Sequence, residues 1–162
     1  ELGGSEYYRT ILGVMGANVP IVRFDLERNM IYAVIDAIDE GLLAAAHDIS
    51  NGGLAASLCE MALTRPAQFG LELDLDSVQG DMGMRTDKIL FSESSGFVLE
   101  AKAGSEARLV ELLGSYGLMP MQIGIVTKKR RIVMSRAGES VADLDLDEAR
   151  NAWTAGLVEA MR

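Results

Sequence analysis

Apolar positions recur at two different periods along the chain, and their alternation predicts strands and helices in turn. Ser5-Glu6-Tyr7-Tyr8-Arg9-Thr10-Ile11-Leu12 reads as a first short helix behind a Gly-Gly turn, with Ser5 as its cap. Asn18-Val19-Pro20 breaks it. Asp25 is placed to cap a longer helix in which Met30, Val34, Ile35 and Ile38 recur at helical spacing, ending at Gly41. Leu42 to Ala46 is a buried strand by its apolar run, His47-Asp48 stops it, and Leu54 to Thr64 is an Ala- and Leu-rich helix. Phe69 to Leu75 alternates apolar with acidic residues, as a half-exposed strand does.

Further on, residues 84–92 predict a short helix, Gly96 to Ala101 a strand, and Glu106 to Tyr116 a helix closed by Gly117. Ile123 to Thr127 and Arg131 to Ser135 flank Lys128-Lys129-Arg130-Arg131 and read as a strand pair around a basic turn. Leu146 to Met161 is an amphipathic helix carrying Trp153. The elements are apolar on one face and need cover, so the expected fold is α+β with α/β layering, a mixed β-sheet covered by helices. With no linker or repeat, residues 1–162 are expected to form a single domain.

Composition narrows the function classes. With 24 Asp+Glu against 15 Lys+Arg the formal charge is −9, which argues against binding nucleic acid through phosphates. Apolar runs are too short for a membrane span, and no signal segment opens the chain. One cysteine, Cys59, excludes an internal disulfide and a cysteine-based zinc cage; the expected location is cytoplasmic. Cys59 reads as a buried structural thiol, and the 9 methionines, scattered along the chain, as core filler. The chain begins at Glu1 rather than Met, the start expected of a piece of a longer protein.

The chemistry concentrates in Ala44-Ala45-Ala46-His47-Asp48-Ile49-Ser50-Asn51-Gly52-Gly53-Leu54-Ala55. A strand, a tight polar turn and a helix opening at two glycines aim main-chain N–H groups and a positive helix end at one place, which suits a phosphate. Gly52 and Gly53 let an anion approach the backbone and suit a turn that needs φ > 0. Asp48 is the candidate ligand for a Mg²⁺ bridging phosphates or for a sugar hydroxyl, and Ser50 a candidate phosphate donor. A plainer reading stands beside this one. Ser50 or Asn51 then caps the helix, Gly52-Gly53 serves a close helix approach, and His47 is a hydrogen-bonded structural histidine. Glu93, Ser94 and Ser95 likewise read either as facing a nucleotide cleft or as an ordinary polar turn.

His47-Asp48-Ile49-Ser50-Asn51-Gly52-Gly53-Leu54 resembles the His-Asp-x-Ser-x-Gly-Gly-Leu motif of the C-terminal domain of phosphoribosylformylglycinamidine synthase. Leu2-Gly3-Gly4-Ser5-Glu6-Tyr7, Leu90-Phe91-Ser92-Glu93-Ser94-Ser95-Gly96 and Ile123-Gly124-Ile125-Val126 are similar to three more of its segments, in the same order. Phe97 departs from it, standing where the family usually has Arg. The resemblance implies the fold of the aminoimidazole ribonucleotide synthetase C-terminal domain, at the C-terminal end of a multidomain synthetase.

That enzyme uses ATP to phosphorylate the amide oxygen of formylglycinamide ribonucleotide, and ammonia then displaces phosphate to give formylglycinamidine ribonucleotide in purine biosynthesis. ATP and Mg²⁺ are the implied cofactors. The implied partners are the preceding domains and, because the chain has no Cys-His-Glu glutaminase arrangement, either a glutaminase domain fused downstream or a separate glutaminase subunit with a small accessory subunit; an end at Arg162 just after the last helix suits the separate subunits and a cut piece alike. His47, Asp48, Ser50, Gly52 and Gly53 are the implied ligand-contacting positions. None is catalytic, because the family's catalytic histidine lies in the other kind of domain, and this piece alone is expected to be inactive. Two alternatives stay open: a noncatalytic interaction module, and a domain of a related kinase or dehydratase.

Overall fold

The computed structural model describes residues 1–16, 18–64, 69–78 and 83–161. Its residues form two compact units, Glu1–Leu58 with Gly83–Met121, and Cys59–Met82 with Gln122–Arg162. The mixture of helices and open sheets agrees with the expected fold class, although the strands divide between two sheets rather than one.

In the first unit, a π-helical turn at Tyr8–Leu12 ends at Gly13, in the left-handed region. Ser5 caps the helical residues that lead into this turn from Glu6: its Oγ accepts from the Tyr8 N–H at 3.3 Å and donates to the Leu2 carbonyl at 2.7 Å. Helix α1 (Phe24–Asp39) starts two residues earlier than a cap at Asp25 predicts, with Arg23 at the cap position and the Glu27 carboxylate accepting from the Arg23 N–H at 3.0 Å. Asp25 sits inside the first turn, where its charge still meets the positive helix end.

The buried stripe of α1 is Ala33, Val34 and Ala37, while Ile35 and Ile38 face outward. Small residues on that stripe allow a close approach, and Ala33 and Ala37 cluster with Leu42, Leu109, Leu112 and Leu113, the last three from helix α4 (Glu106–Ser115). Polar links fasten the same pair of helices. Asn29 Nδ2 donates to the Tyr116 carbonyl at 3.1 Å, Tyr116 OH donates to Asp36, and Arg108 grips both Glu40 oxygens at 2.8 and 2.9 Å.

Strand β1 (Leu43–Asp48) pairs antiparallel with β3 (Phe97–Ala101), from Leu43 opposite Ala101 to Asp48 opposite Phe97. The predicted burial of β1 is corrected here. Leu43, Ala45 and His47 are half-buried, whereas Ala44, Ala46 and Asp48 are exposed. Alanine is small enough to stand on a solvated face, so a run of three made the strand look more buried than it is. Helix α3 (Thr86–Phe91) precedes β3.

Helix α2 (Gly53–Leu63) starts in the first unit and ends in the second. The second unit holds a mixed sheet of β2 (Gly70–Asp74), β4 (Gly124–Thr127), β5 (Arg131–Arg136) and β6 (Glu139–Asp145), in the order β4-β2-β5-β6. Among the described residues of this sheet only β2 and β5 run parallel. The two segments flanking the basic turn are therefore not a pair, because β2 lies between them. Gly70 permits this arrangement: a Cβ there would overlap the carbonyls of Lys129 and Arg131, so the basic connection passes over the end of β2.

The true hairpin is β5–β6, closed by Ala137-Gly138 with φ of 50° and 75°. Two positive φ values match the right-handed twist of the flanking strands. Helix α5 (Leu146–Ala160) follows β6 directly, and Asp145 Oδ1 caps it by accepting from Asp147 N at 2.8 Å and Glu148 N at 3.3 Å. Leu73, Leu75, Ile132, Met134 and Leu146 are the buried apolar residues of this sheet and its flanks.

Candidate functional site

Three stretches distant in sequence meet at the end of β1: the entry segment 1–7, the turn 49–53 and the loop 92–96. The β1–β3 pairing brings the last two together, since the Ile49 N–H donates to the Gly96 carbonyl at 2.8 Å. Tyr7 stacks on Phe91 with ring centroids 4.5 Å apart and 3° between planes, which anchors the entry segment to α3. Ser92 Oγ donates to the Glu1 carbonyl and lies beside Ser94 Oγ, both at 2.9 Å.

At the turn, Gly52 and Gly53 have φ of +82° and +68°, a left-handed pair that reverses the chain into α2. A Cβ on Gly53 would fall 2.7–2.8 Å from Leu90 O, Phe91 C and Ser92 O. The plainer reading of the second glycine, a close backbone approach, is thus realised. Ser57, buried inside α2, reaches back with its hydroxyl to Asp48 O at 2.9 Å and Gly53 O at 3.2 Å, tying the helix to the strand before it.

Open donors at the two glycines are not found. The Gly52 N–H donates to Glu93 Oε1 at 2.8 Å, and the Gly53 N–H to the Ser50 carbonyl at 2.9 Å. That same Glu93 oxygen accepts from the Glu6 N–H at 2.9 Å. A carboxylate from this chain thus takes the place that an external anion was expected to fill. The sequence offered Glu93 either as facing a nucleotide cleft or as one residue of a polar turn, and not as an acceptor for these main-chain groups. Its partners lie 87 and 41 residues away, and no local pattern announces them.

The side chains of the motif point elsewhere. Asp48 is 64% exposed, and Ser50 is exposed. His47, with its side chain 26% exposed, places Nδ1 2.6 Å from the Asp48 carbonyl, so Nδ1 carries the proton and Asp48 is held from behind. The helix is closed at Ser50 through its main-chain carbonyl rather than its hydroxyl. Among the described residues no group of three or more His, Cys, Asp and Glu is placed to hold a metal. A lone exposed carboxylate fits a Mg²⁺ that draws its other ligands from phosphates and water rather than from a protein cage. Cys59 is raised above the ordinary thiol range by burial and then by Glu60, in keeping with a structural role.

Residues 1–136 match the family described as AIR synthase related protein, C-terminal domain. The chain belongs to that family. Within it, the chain is 54% identical over 162 residues to the phosphoribosylformylglycinamidine synthase subunit PurL of Methanothrix thermoacetophila, covering 100% of this chain and 20% of that protein. Three Thermotoga maritima structures share the AIR synthase-related fold. PurL complexed with ATP has a TM-score of 0.69 at 19% identity, covering 92% of this chain and 24% of that one. PurL complexed with FGAR gives 0.66 at 21% identity, over 76% of this chain and 21% of that one. The PurLQS structure gives 0.70 at 18% identity, over 91% and 24%. This member of the family therefore spans about a fifth of its curated relative. Among its described residues no helix is long and apolar enough to cross a membrane.

Proposed function

We propose that this chain is the C-terminal domain of an ATP-dependent carbon–nitrogen ligase, a phosphoribosylformylglycinamidine synthase of purine biosynthesis acting in the cytoplasm. The observation that carries the reading is identity of 54% sustained over all 162 residues with a PurL subunit. In this reaction the amide oxygen of formylglycinamide ribonucleotide takes the γ-phosphoryl group of ATP, ADP leaves, and ammonia then displaces phosphate from the same carbon. Mg²⁺, when bound, offsets charge on the transferring phosphoryl group.

The chain's own residues bind and position. Asp48, exposed at the end of β1, supplies one carboxylate to the metal, and the Ser50 hydroxyl donates to a phosphate oxygen. His47 fixes the main chain of Asp48 through Nδ1. Gly52 and Gly53 shape the turn rather than grip the anion, since their N–H groups are already paired. Preceding domains of the same polypeptide complete the nucleotide site, and a glutaminase subunit with a small accessory subunit delivers ammonia.

The test is ADP release by the longer polypeptide carrying this segment, supplied with ATP, Mg²⁺, ammonia and formylglycinamide ribonucleotide. Turnover that requires the ribonucleotide is expected, with none from the 162-residue chain alone. Turnover indifferent to the ribonucleotide, or catalysis by the short chain, contradicts the reading.

A further inference from the structure

The Glu93 carboxylate joins all three stretches around the turn. One oxygen accepts two main-chain N–H groups, from Glu6 at 2.9 Å and from Gly52 at 2.8 Å. Bonds from N–H groups to a carboxylate are among the stronger ones a protein makes. The neighbouring packing leaves little room for adjustment: Gly53 presses against the main chain of residues 90–92, and Phe91 is stacked under Tyr7. Gly52 is the hinge of the turn, at φ +82°, and Asp48 and Ser50 lie four and two residues before it.

We propose that Glu93 is a positioning residue: by clamping the main chain at Gly52 and Glu6 it sets where Asp48 and Ser50 present themselves to a phosphate-bearing substrate. This rests on the ligase reading above. The requirement is geometric. The side chain must be long enough to reach both N–H groups, and it must offer an acceptor oxygen. Glutamine meets both conditions without the charge. Aspartate keeps the charge and loses the reach by one methylene.

The experiment is steady-state kinetics of the longer polypeptide carrying Glu93→Gln or Glu93→Asp, with ATP and formylglycinamide ribonucleotide varied in turn. Because the chain contributes no reacting group, the effect falls on binding. In Glu93→Asp, KM for one of the two substrates rises about tenfold while kcat changes less than about twofold, and Glu93→Gln stays within about threefold of the parent enzyme. Hydrogen exchange reports the clamp directly, with the Gly52 and Glu6 amides exchanging faster in Glu93→Asp and not in Glu93→Gln. An Asp variant with parent-like KM values, or a Gln variant as impaired as Asp, overturns the proposal. The parent enzyme's turnover with the ribonucleotide tests the ligase reading separately. Should Glu93→Asp fold poorly in the longer polypeptide, the exchange rates and KM values of Glu93→Gln still decide, since loss of the clamp there is also incompatible with it.

Discussion

Gly53 shows how two separate demands fall on one residue. Its φ of +68° is a conformation that side chains disfavour, and a Cβ there meets three main-chain atoms at 2.7–2.8 Å. Gly104 separates the two demands, because it has φ +86° with nothing within 4 Å of a built Cβ. Gly104→Ala therefore measures backbone strain alone, about 1 kcal/mol. Gly53→Ala adds a clash with rigid backbone and should cost about 3 kcal/mol in all. Urea unfolding of the two variants checks the difference, and equal losses would show that the main chain of residues 90–92 yields easily. The close approach at Gly53 and the positive φ of the turn were legible in sequence, each beside another reading, and the partner of the Gly52 N–H was not. What turned the expected anion cradle into an internal clamp is a carboxylate from 41 residues away, beyond the range of any local pattern.

Elements were legible where one period dominated. Helices α1, α2, α4 and α5 and strands β1, β2 and β3 lie within a few residues of where their patterns put them. Strand β6 was missed because Ala137-Gly138 lacks the Asn-Gly or Asp-Gly signature of a tight hairpin, and the sheet order was missed because Gly70 sets it through a crossing rather than through alternation. At the junction of β6 and α5 the cap makes a prediction about pH. The Asp147 and Glu148 N–H groups hold the Asp145 carboxyl below its usual range, as the Arg108 hydrogen bond holds Glu40 below its own. For both groups the unfolded chain binds the proton more readily than the folded one. Their contribution is therefore complete above the ordinary carboxylate range and fades as pH falls below about 4. Thermal melts between pH 6 and pH 3, taken as roughly spanning that range, should show a fall in Tm that is shallower in Asp145→Ala than in the parent chain. An equal slope would mean that the cap is not the titrating element.

Across the whole molecule, the apolar surface is distributed as the packing of α1 requires and as its sequence does not suggest. The stripe that meets α4 uses Ala33 and Ala37, fully buried, while Ile31, Tyr32, Ile35 and Ile38 on the same helix are 45–56% exposed. Alanines win the contact because close approach brings backbone and many atoms together, which leaves the larger side chains on the outside. Phe24 at the start of the helix is 81% exposed, so the apolar surface continues to its end. Surfaces of this kind favour association. In the 162-residue chain, sedimentation should show an average mass that rises with concentration, and the pair Ile35→Glu with Ile38→Glu should suppress that rise. Since both positions are solvent-facing, unfolding free energy should change by less than about 0.5 kcal/mol for each. If other domains cover this face in the longer polypeptide, the same pair should lower yield or activity there, because a buried face cannot take two charges without cost. A chain that stays monomeric at every concentration, with a longer polypeptide indifferent to both substitutions, would show that this face is covered by nothing.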